Sequence, residues 1–105
     1  MKKIQFKDAS LGEVIGTSSH RGYVRASAKE LSKVLGSPLT GDGDKTTFEW
    51  NKKFGSIIFT VYDYKEGYIT SQTEVEYHIG TKSSEDTGLI VGLLIGLGLD
   101  AYINR

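Results

Sequence analysis

The order of apolar and polar residues predicts a β-hairpin in the middle of the chain. From residue 47 to residue 54 the two kinds alternate, which places Phe48 and Trp50 on one face of a strand. A tight connection at Gly55 follows, and residues 57–64 are rich in the β-branched and aromatic side chains that strands favour. We therefore expect two antiparallel strands, with the second covered on both faces in the centre of a sheet.

The same alternation predicts a third strand over residues 73–79. Tyr77 falls on its expected inner face and His78 on its outer face, and Gly80 is expected to end the strand. Nearer the N terminus, residues 23–24 give a brief extended segment.

A short helix is predicted over residues 28–35. Ser27 and Glu30 have the spacing of a capping box, in which each side chain accepts a hydrogen bond from the other residue's backbone amide. Gly36, shortly before Pro38, is a strong signal for the end of the helix.

A second, longer helix is predicted near the C terminus, in the uncharged run from Thr87 to Leu99. Gly88, Gly92 and Gly96 fall four apart, so on a helix they form one smooth stripe that another backbone can approach closely. Each helical glycine costs roughly 0.8–1 kcal/mol relative to alanine, so close packing has to offset that loss. Because apolar side chains fill the other directions, we expect the helix to be buried all round, between the sheet and a second subunit.

Together these elements predict an α+β fold, an antiparallel β-meander sheet packed by one short and one long C-terminal helix. The 105 residues are expected to form a single domain, residues 1–105. The apolar run is shorter than the roughly twenty residues of a membrane-spanning helix, and the N terminus lacks the apolar core of a signal peptide. We expect a cytoplasmic protein that does not contact a membrane.

Charge and composition exclude several classes of function. Thirteen Lys and Arg offset thirteen Asp and Glu, whereas modules that bind duplex nucleic acid usually carry a basic surplus. The absence of cysteine excludes disulfides, thiolate ligands and cysteine nucleophiles. The two histidines lack the spacing of metal ligands, and the loop that begins at Asp42 carries Lys53 where a calcium loop has its glutamate. We expect no cofactor, no metal and no duplex partner.

No catalytic set is recognisable either. Asp63 stands near a strand end, where a carboxylate can be catalytic, but no base or nucleophile accompanies it at a meaningful spacing. The chain is therefore not expected to be an enzyme.

The best candidate for ligand binding is a face formed by Arg21, Tyr23 and Arg25. In an extended segment these three side chains point the same way, because side chains repeat every two residues. Guanidinium groups can bind phosphate while the ring stacks on a base, so the face could hold a nucleotide. An ordinary solvated strand surface is the alternative.

Two further groups of residues have open interpretations. His78 and Lys82 flank a strand-to-helix junction whose backbone amides could hold an anion, although simple helix capping is favoured. Tyrosines concentrate around the second and third strands, where they could recognise a partner or line the margin of the core. They are Tyr62, Tyr64, Tyr68 and Tyr77.

A series of short motifs resembles those of small phage and prophage proteins. The motifs are Ala26-Ser-Ala-Lys-Glu-Leu31, Leu35-Gly-Ser-Pro38, Phe48-Glu-Trp50, Thr60-Val-Tyr-Asp-Tyr-Lys65 and Tyr77-His-Ile-Gly80. They are similar to a Glu-Trp strand, a Tyr-Asp-Tyr-Lys strand and a Trp-His-Ile-Gly-Gly strand end. Among such proteins the chain resembles the Thoeris anti-defence sponges over residues 11–80. It departs from the pattern at Tyr77, where tryptophan is expected, and at Thr81, where a second glycine is expected.

The resemblance implies a phage homo-oligomer that binds and sequesters a cyclic nucleotide immune messenger, of the cyclic ADP-ribose type, without catalysis. The strand face, the strand-to-helix junction and the C-terminal end supply the expected ligand-binding residues, which are Arg21, Tyr23, Arg25, His78, Lys82, Asn104 and Arg105. The interface residues are Gly88, Gly92 and Gly96. Asn104 and Arg105 are included because the end of the final helix could bring them toward a partner's site.

A function of a different class remains open beside this one. The chain could be a protein–protein inhibitor of a host defence enzyme, of the anti-CRISPR or anti-restriction type, that acts through its tyrosine-rich sheet face.

Overall fold

The computed structural model describes residues 5–17, 20–41 and 45–103 of the chain. In these ranges it has seven β-strands and two α-helices. In chain order they are β1 (Lys7–Asp8), β2 (His20–Ala26), α1 (Ala28–Leu35), β3 (Leu39–Thr40), β4 (Phe48–Phe54), β5 (Ile57–Tyr62), β6 (Val75–Thr81), α2 (Ser84–Gly96) and β7 (Asp100–Tyr102).

The strands of the described chain form one antiparallel sheet in the order β1-β4-β5-β6-β2-β7, with β3 also paired to β4. The predicted α+β class and the β4-β5-β6 meander are confirmed. The expected sheet of three strands is too small, because β2 pairs along the whole length of β6 and carries β7 on its other edge. The predicted extended segment at residues 23–24 is the centre of β2, which has seven residues.

Both helices pack on the same face of the sheet, where the core lies. The aromatic side chains of Trp50 and Tyr77 meet there at 5.7 Å in a T-shaped pair. Helix α1 begins and ends where the sequence predicts. Its capping box is also confirmed: the Glu30 amide donates to the Ser27 hydroxyl at 3.2 Å, and the Ser27 amide donates to the Glu30 carboxylate at 3.0 Å.

Helix α2 ends earlier than predicted, and only one of its sides is buried. It ends at Gly96 rather than near the C terminus as predicted. Gly98 follows with a φ of +92°, a conformation that turns the chain back after a helix, and the chain then enters β7. The buried side chains of α2 are Thr87, Ile90, Val91 and Leu94.

The opposite side of α2 is open in the described chain. Leu89 and Ile95 are 58% and 54% exposed there, and a Cβ atom added at Gly88, Gly92 or Gly96 would meet nothing within 4 Å. The helix is thus not buried all round by its own chain. The second subunit that would cover this side stays a prediction.

Two other glycines allow the close approaches of this fold. At Gly22 in β2 an added Cβ would lie 2.8 Å from a methyl of Val91, so the missing side chain lets α2 pack closely on the sheet. At Gly80 an added Cβ would overlap the backbone carbonyl of Thr17. Gly80 therefore does not end its strand as predicted; it lies inside β6 and makes room for the chain entering β2.

Among the described residues, neither helix is long and apolar enough to cross a membrane.

Candidate functional site

The sheet face opposite the helices carries a row of polar and aromatic side chains that crosses five strands. The register pairs Glu49 with Tyr62, Tyr62 with His78, His78 with Tyr23, and Tyr23 with Tyr102. Directly paired residues of antiparallel strands stand side by side, about 4.5–5.5 Å apart at Cβ. These five residues therefore form one continuous surface, here called the aromatic row.

His78 lies at the centre of this row, in contact with three tyrosine rings. Its ring stacks on Tyr62 with centroids 5.4 Å apart, and it meets Tyr23 and Tyr64 edge-on at 5.3 and 6.0 Å. Tyr102 stacks on Tyr23 at 5.8 Å and donates its hydroxyl hydrogen to the carboxylate of Glu76. Packed rings that fix one another in this way offer a preformed stacking surface.

A cavity of about 470 Å³ opens on this face of the sheet. It is called the main cavity below, and its lining residues are Arg21, Lys45, Thr46, Glu49, Tyr62, Tyr64 and His78. The lining thus combines two cationic side chains, one carboxylate and three rings. A small cavity with aromatic walls and a few charged groups is the usual form of a site for a small organic ligand.

The electrostatics of the main cavity favour an anionic ligand with a polar end. Burial raises the pKa of the Tyr62 hydroxyl above its usual range, although the nearby charge of Arg21 acts in the opposite direction. Tyr62 therefore stays protonated at neutral pH and can donate a hydrogen bond. Arg21 and Lys45 supply positive charge for phosphate, and Glu49 supplies an acceptor for hydroxyl or amino groups.

A buried carboxylate fixes one wall of the main cavity. Asp63 is 1% exposed and accepts hydrogen bonds from the backbone amides of Thr47, at 2.9 Å, and Phe48, at 2.8 Å. A further tie joins the Lys65 amide to the Lys45 carbonyl at 2.7 Å. These bonds hold the start of β4, and with it the Lys45 region, against the end of β5.

A second cavity of about 240 Å³ adjoins the first. It is called the side cavity below, and it shares Thr46, Glu49 and Tyr62 with the main cavity. The remaining lining residues are Thr17, Asn51, Thr60 and Val61. The residues that only the side cavity has are uncharged, and most of its wall is apolar surface, whereas cations and rings also line the main cavity.

The structure brings three of the predicted ligand-binding residues together. Arg21 and His78 line the main cavity, and Tyr23 stands beside His78 in the aromatic row. Arg25 lies on the same face but outside the cavity lining, and its guanidinium pairs with Glu74 at 3.0 Å.

The other predicted residues lie elsewhere. Lys82 is an exposed residue between β6 and α2, where the Ser83 hydroxyl caps the helix by accepting from the Asp86 amide at 3.1 Å. Asn104 and Arg105 fall outside the described residues.

Sequence reasoning missed three residues that line the main cavity, Lys45, Thr46 and Glu49. It named Tyr62 and Tyr64 only as residues that could recognise a partner or line the margin of the core. Alternation along the strands does place Glu49 and Tyr62 outward, as it does His78. What the sequence lacks is the register, which sets these side chains beside one another and beside Arg21.

Comparison of the chain with protein-family models, curated proteins and solved structures found no match. In the described part of the chain, no three His, Cys, Asp or Glu side chains converge to hold a metal ion.

Proposed function

We propose that this protein binds and sequesters a cyclic nucleotide immune messenger, of the cyclic ADP-ribose type, in the main cavity. On this proposal it is a phage anti-defence protein that acts in the cytoplasm of an infected bacterial cell. Sequestration requires that the protein bind the messenger tightly and be present at a concentration near that of the messenger. It requires no chemical step on the bound molecule.

The observation that carries the proposal is the combination of stacked rings and cations in one cavity. The His78 and Tyr62 rings stack on each other and line the cavity, and stacking of a base on a protein ring contributes about 1–3 kcal/mol. Arg21 and Lys45 line the same space and suit the phosphates of the ligand. A nucleotide has both parts, a flat base and an anionic phosphate, joined at a distance that a cavity of about 470 Å³ can span.

The first experiment is a thermal-shift screen with cyclic ADP-ribose isomers, cyclic dinucleotides and cyclic trinucleotides. A ligand present at a hundred times its Kd, and bound only by the folded chain, stabilises the fold by about 2.7 kcal/mol. For a domain of this size that raises Tm on the order of 10 °C. A panel without any shift would overturn the proposal.

Two arginine variants test the location of the site. Arg21→Ala should weaken messenger binding by about tenfold or more, because it removes a charge-assisted contact to phosphate. Arg25→Ala is the matched control, since Arg25 lies two residues along the same strand face but pairs with Glu74 outside the cavity lining. Equal losses in the two variants, measured by isothermal titration, would contradict the main cavity as the site.

A second candidate function rests on exposed tyrosines. Tyr68 is 92% exposed and Tyr64 is 41% exposed, and surface tyrosines offer contact area to a protein partner at low entropic cost. We propose inhibition of a host defence enzyme as the alternative. It predicts a stoichiometric complex that Tyr68→Ala weakens, together with no response to the nucleotide panel.

A further inference from the structure

Glu49 occupies a position between two chemically different spaces. It lines both the main cavity and the side cavity, as Thr46 and Tyr62 also do. Its carboxylate accepts a hydrogen bond from the Thr46 hydroxyl at 2.7 Å, which holds the side chain in place. A carboxylate has about four acceptor positions, so this bond leaves capacity for two donors from a ligand.

The charge of Glu49 also gives a bound nucleotide a direction. A carboxylate repels phosphate, so the phosphate is drawn toward Arg21 and Lys45 in the main cavity. The part of the ligand beside Glu49 must then be uncharged and rich in N–H or O–H donors. Two vicinal hydroxyl groups on a sugar satisfy a carboxylate in this way, as they do in dinucleotide-binding proteins.

The side cavity combines apolar surface, which suits the carbon ring of a sugar, with a few uncharged polar groups. Asn51 and Thr60 contribute an amide and a hydroxyl group, whereas the Thr17 hydroxyl already donates to the Val14 carbonyl at 2.7 Å. Its volume of about 240 Å³ is enough for one five-membered sugar ring and its hydroxyl groups.

We propose that the side cavity is a ribose subsite, in which Glu49 accepts hydrogen bonds from the hydroxyl groups of the ligand's sugar. This inference rests on the proposed function and specifies the ligand: a ribonucleotide, with its base on the aromatic row and its phosphate at Arg21 and Lys45. The site selects against the 2′-deoxy form, because that form leaves an acceptor of Glu49 without a donor.

The test measures the binding of three probes by isothermal titration: cyclic ADP-ribose, ADP-ribose and 2′-deoxy-ADP-ribose. The wild-type chain should bind ADP-ribose about tenfold or more tightly than the 2′-deoxy probe, as expected for a lost hydrogen bond to a charged group. Glu49→Gln should weaken binding of both ribose probes about fivefold and that of the deoxy probe by a smaller factor, because only one hydroxyl of the deoxy sugar still donates to Glu49. Glu85→Gln is the matched control, since Glu85 lies exposed on α2 in the other layer.

The possible results distinguish a failure of the ribose subsite alone from a failure of the proposed function. Cyclic ADP-ribose that binds equally to the wild type and to Glu49→Gln would overturn the ribose subsite and leave the proposed function standing. A 2′-deoxy probe that binds the wild type as tightly as ADP-ribose would overturn it as well. If the wild type binds none of the three probes, the cyclic ADP-ribose function fails and the subsite fails with it.

Discussion

At the scale of single residues, two buried polar groups on the core face have opposite surroundings. Asp63 is almost fully buried, and two backbone amides donate to its carboxylate. Tyr77 is also fully buried, but no described residue accepts or donates a hydrogen bond at its hydroxyl group. Asp63 thus organises the start of β4, whereas the hydroxyl of Tyr77 is a cost to the fold.

Tyr77→Phe should therefore stabilise the protein. A buried hydroxyl without a partner costs about 1–3 kcal/mol, so its removal should raise the free energy of unfolding by about 1 kcal/mol and Tm by about 4 °C or more. Tyr102→Phe is the control and should be destabilising, since the Tyr102 hydroxyl donates to Glu76. Thermal denaturation at pH 7 measures both variants, and a Tyr77→Phe variant that unfolds at a lower temperature than the wild type would contradict the prediction.

The same substitution has a predictable pH dependence. Burial, with the charges of Asp63 and Glu66 as smaller causes, raises the pKa of Tyr77 far above the usual value of 10.0. Above about pH 10 the unfolded chain releases this proton while the folded chain keeps it, so the wild type loses stability as the pH rises. The advantage of Tyr77→Phe over the wild type should accordingly grow above pH 10.

The sequence predicts on which face of the sheet most of these side chains lie, but not which residues they contact. Alternation places Tyr77 inward and His78 outward, and the structure agrees. The aromatic row depends on strand register, which pairs residues far apart in sequence, such as Tyr23 with His78. No local pattern carries that information, so Glu49 and Tyr62 could be placed on a face but not beside Arg21.

At the scale of elements, the segment that precedes β2 and ends at Thr17 crosses the sheet face opposite the helices. It crosses at Gly80, the one position of β6 that has no side chain. Thr17 is buried there and lines the side cavity, and Lys53 holds the same segment through an ion pair with Glu13 at 3.0 Å. Gly80 is the residue that allows the approach, because any Cβ would overlap the Thr17 carbonyl.

Gly80→Ala should displace this segment and destabilise the fold. Forcing a methyl group into a packed position typically costs about 1–3 kcal/mol. Gly12→Ala is the matched control, since a Cβ at Gly12 meets nothing within 4 Å. Chemical denaturation gives both values, and equal stabilities for the two variants would show that the close approach is not maintained in solution.

Elements with strong local signals were predicted well, and those with weak signals were not. The capping box predicted the first residue of α1 correctly, and the Gly55 turn with the alternation on either side of it predicted the hairpin of β4 and β5 correctly. Strands β1, β3 and β7 have only two or three residues each, too few to show any period. Strand β7 was also hidden because the apolar composition of α2 continues to Leu99, beyond the end of the helix.

At the scale of the whole molecule, the two layers present two different surfaces. The open face of the sheet carries the aromatic row and both cavities that adjoin it. The outer side of α2 presents Leu89, Ile95 and three glycines, with no charge from Thr87 to Leu99. Because the two surfaces lie on opposite layers, we propose that association through α2 leaves the main cavity accessible in each copy.

Gly92→Leu tests that association. An added side chain at Gly92 meets nothing of its own chain, so the fold should tolerate leucine and gain about 0.8 kcal/mol of helix propensity. Where two copies cross closely at the glycine stripe, the same side chain would force the helices apart. We expect light scattering to give an oligomer for the wild type and a monomer for Gly92→Leu, with unchanged circular dichroism and unchanged affinity per chain for any messenger found in the screen. A wild type that is monomeric at high concentration, or an oligomer that survives Gly92→Leu, would exclude close crossing of this helix as the interface.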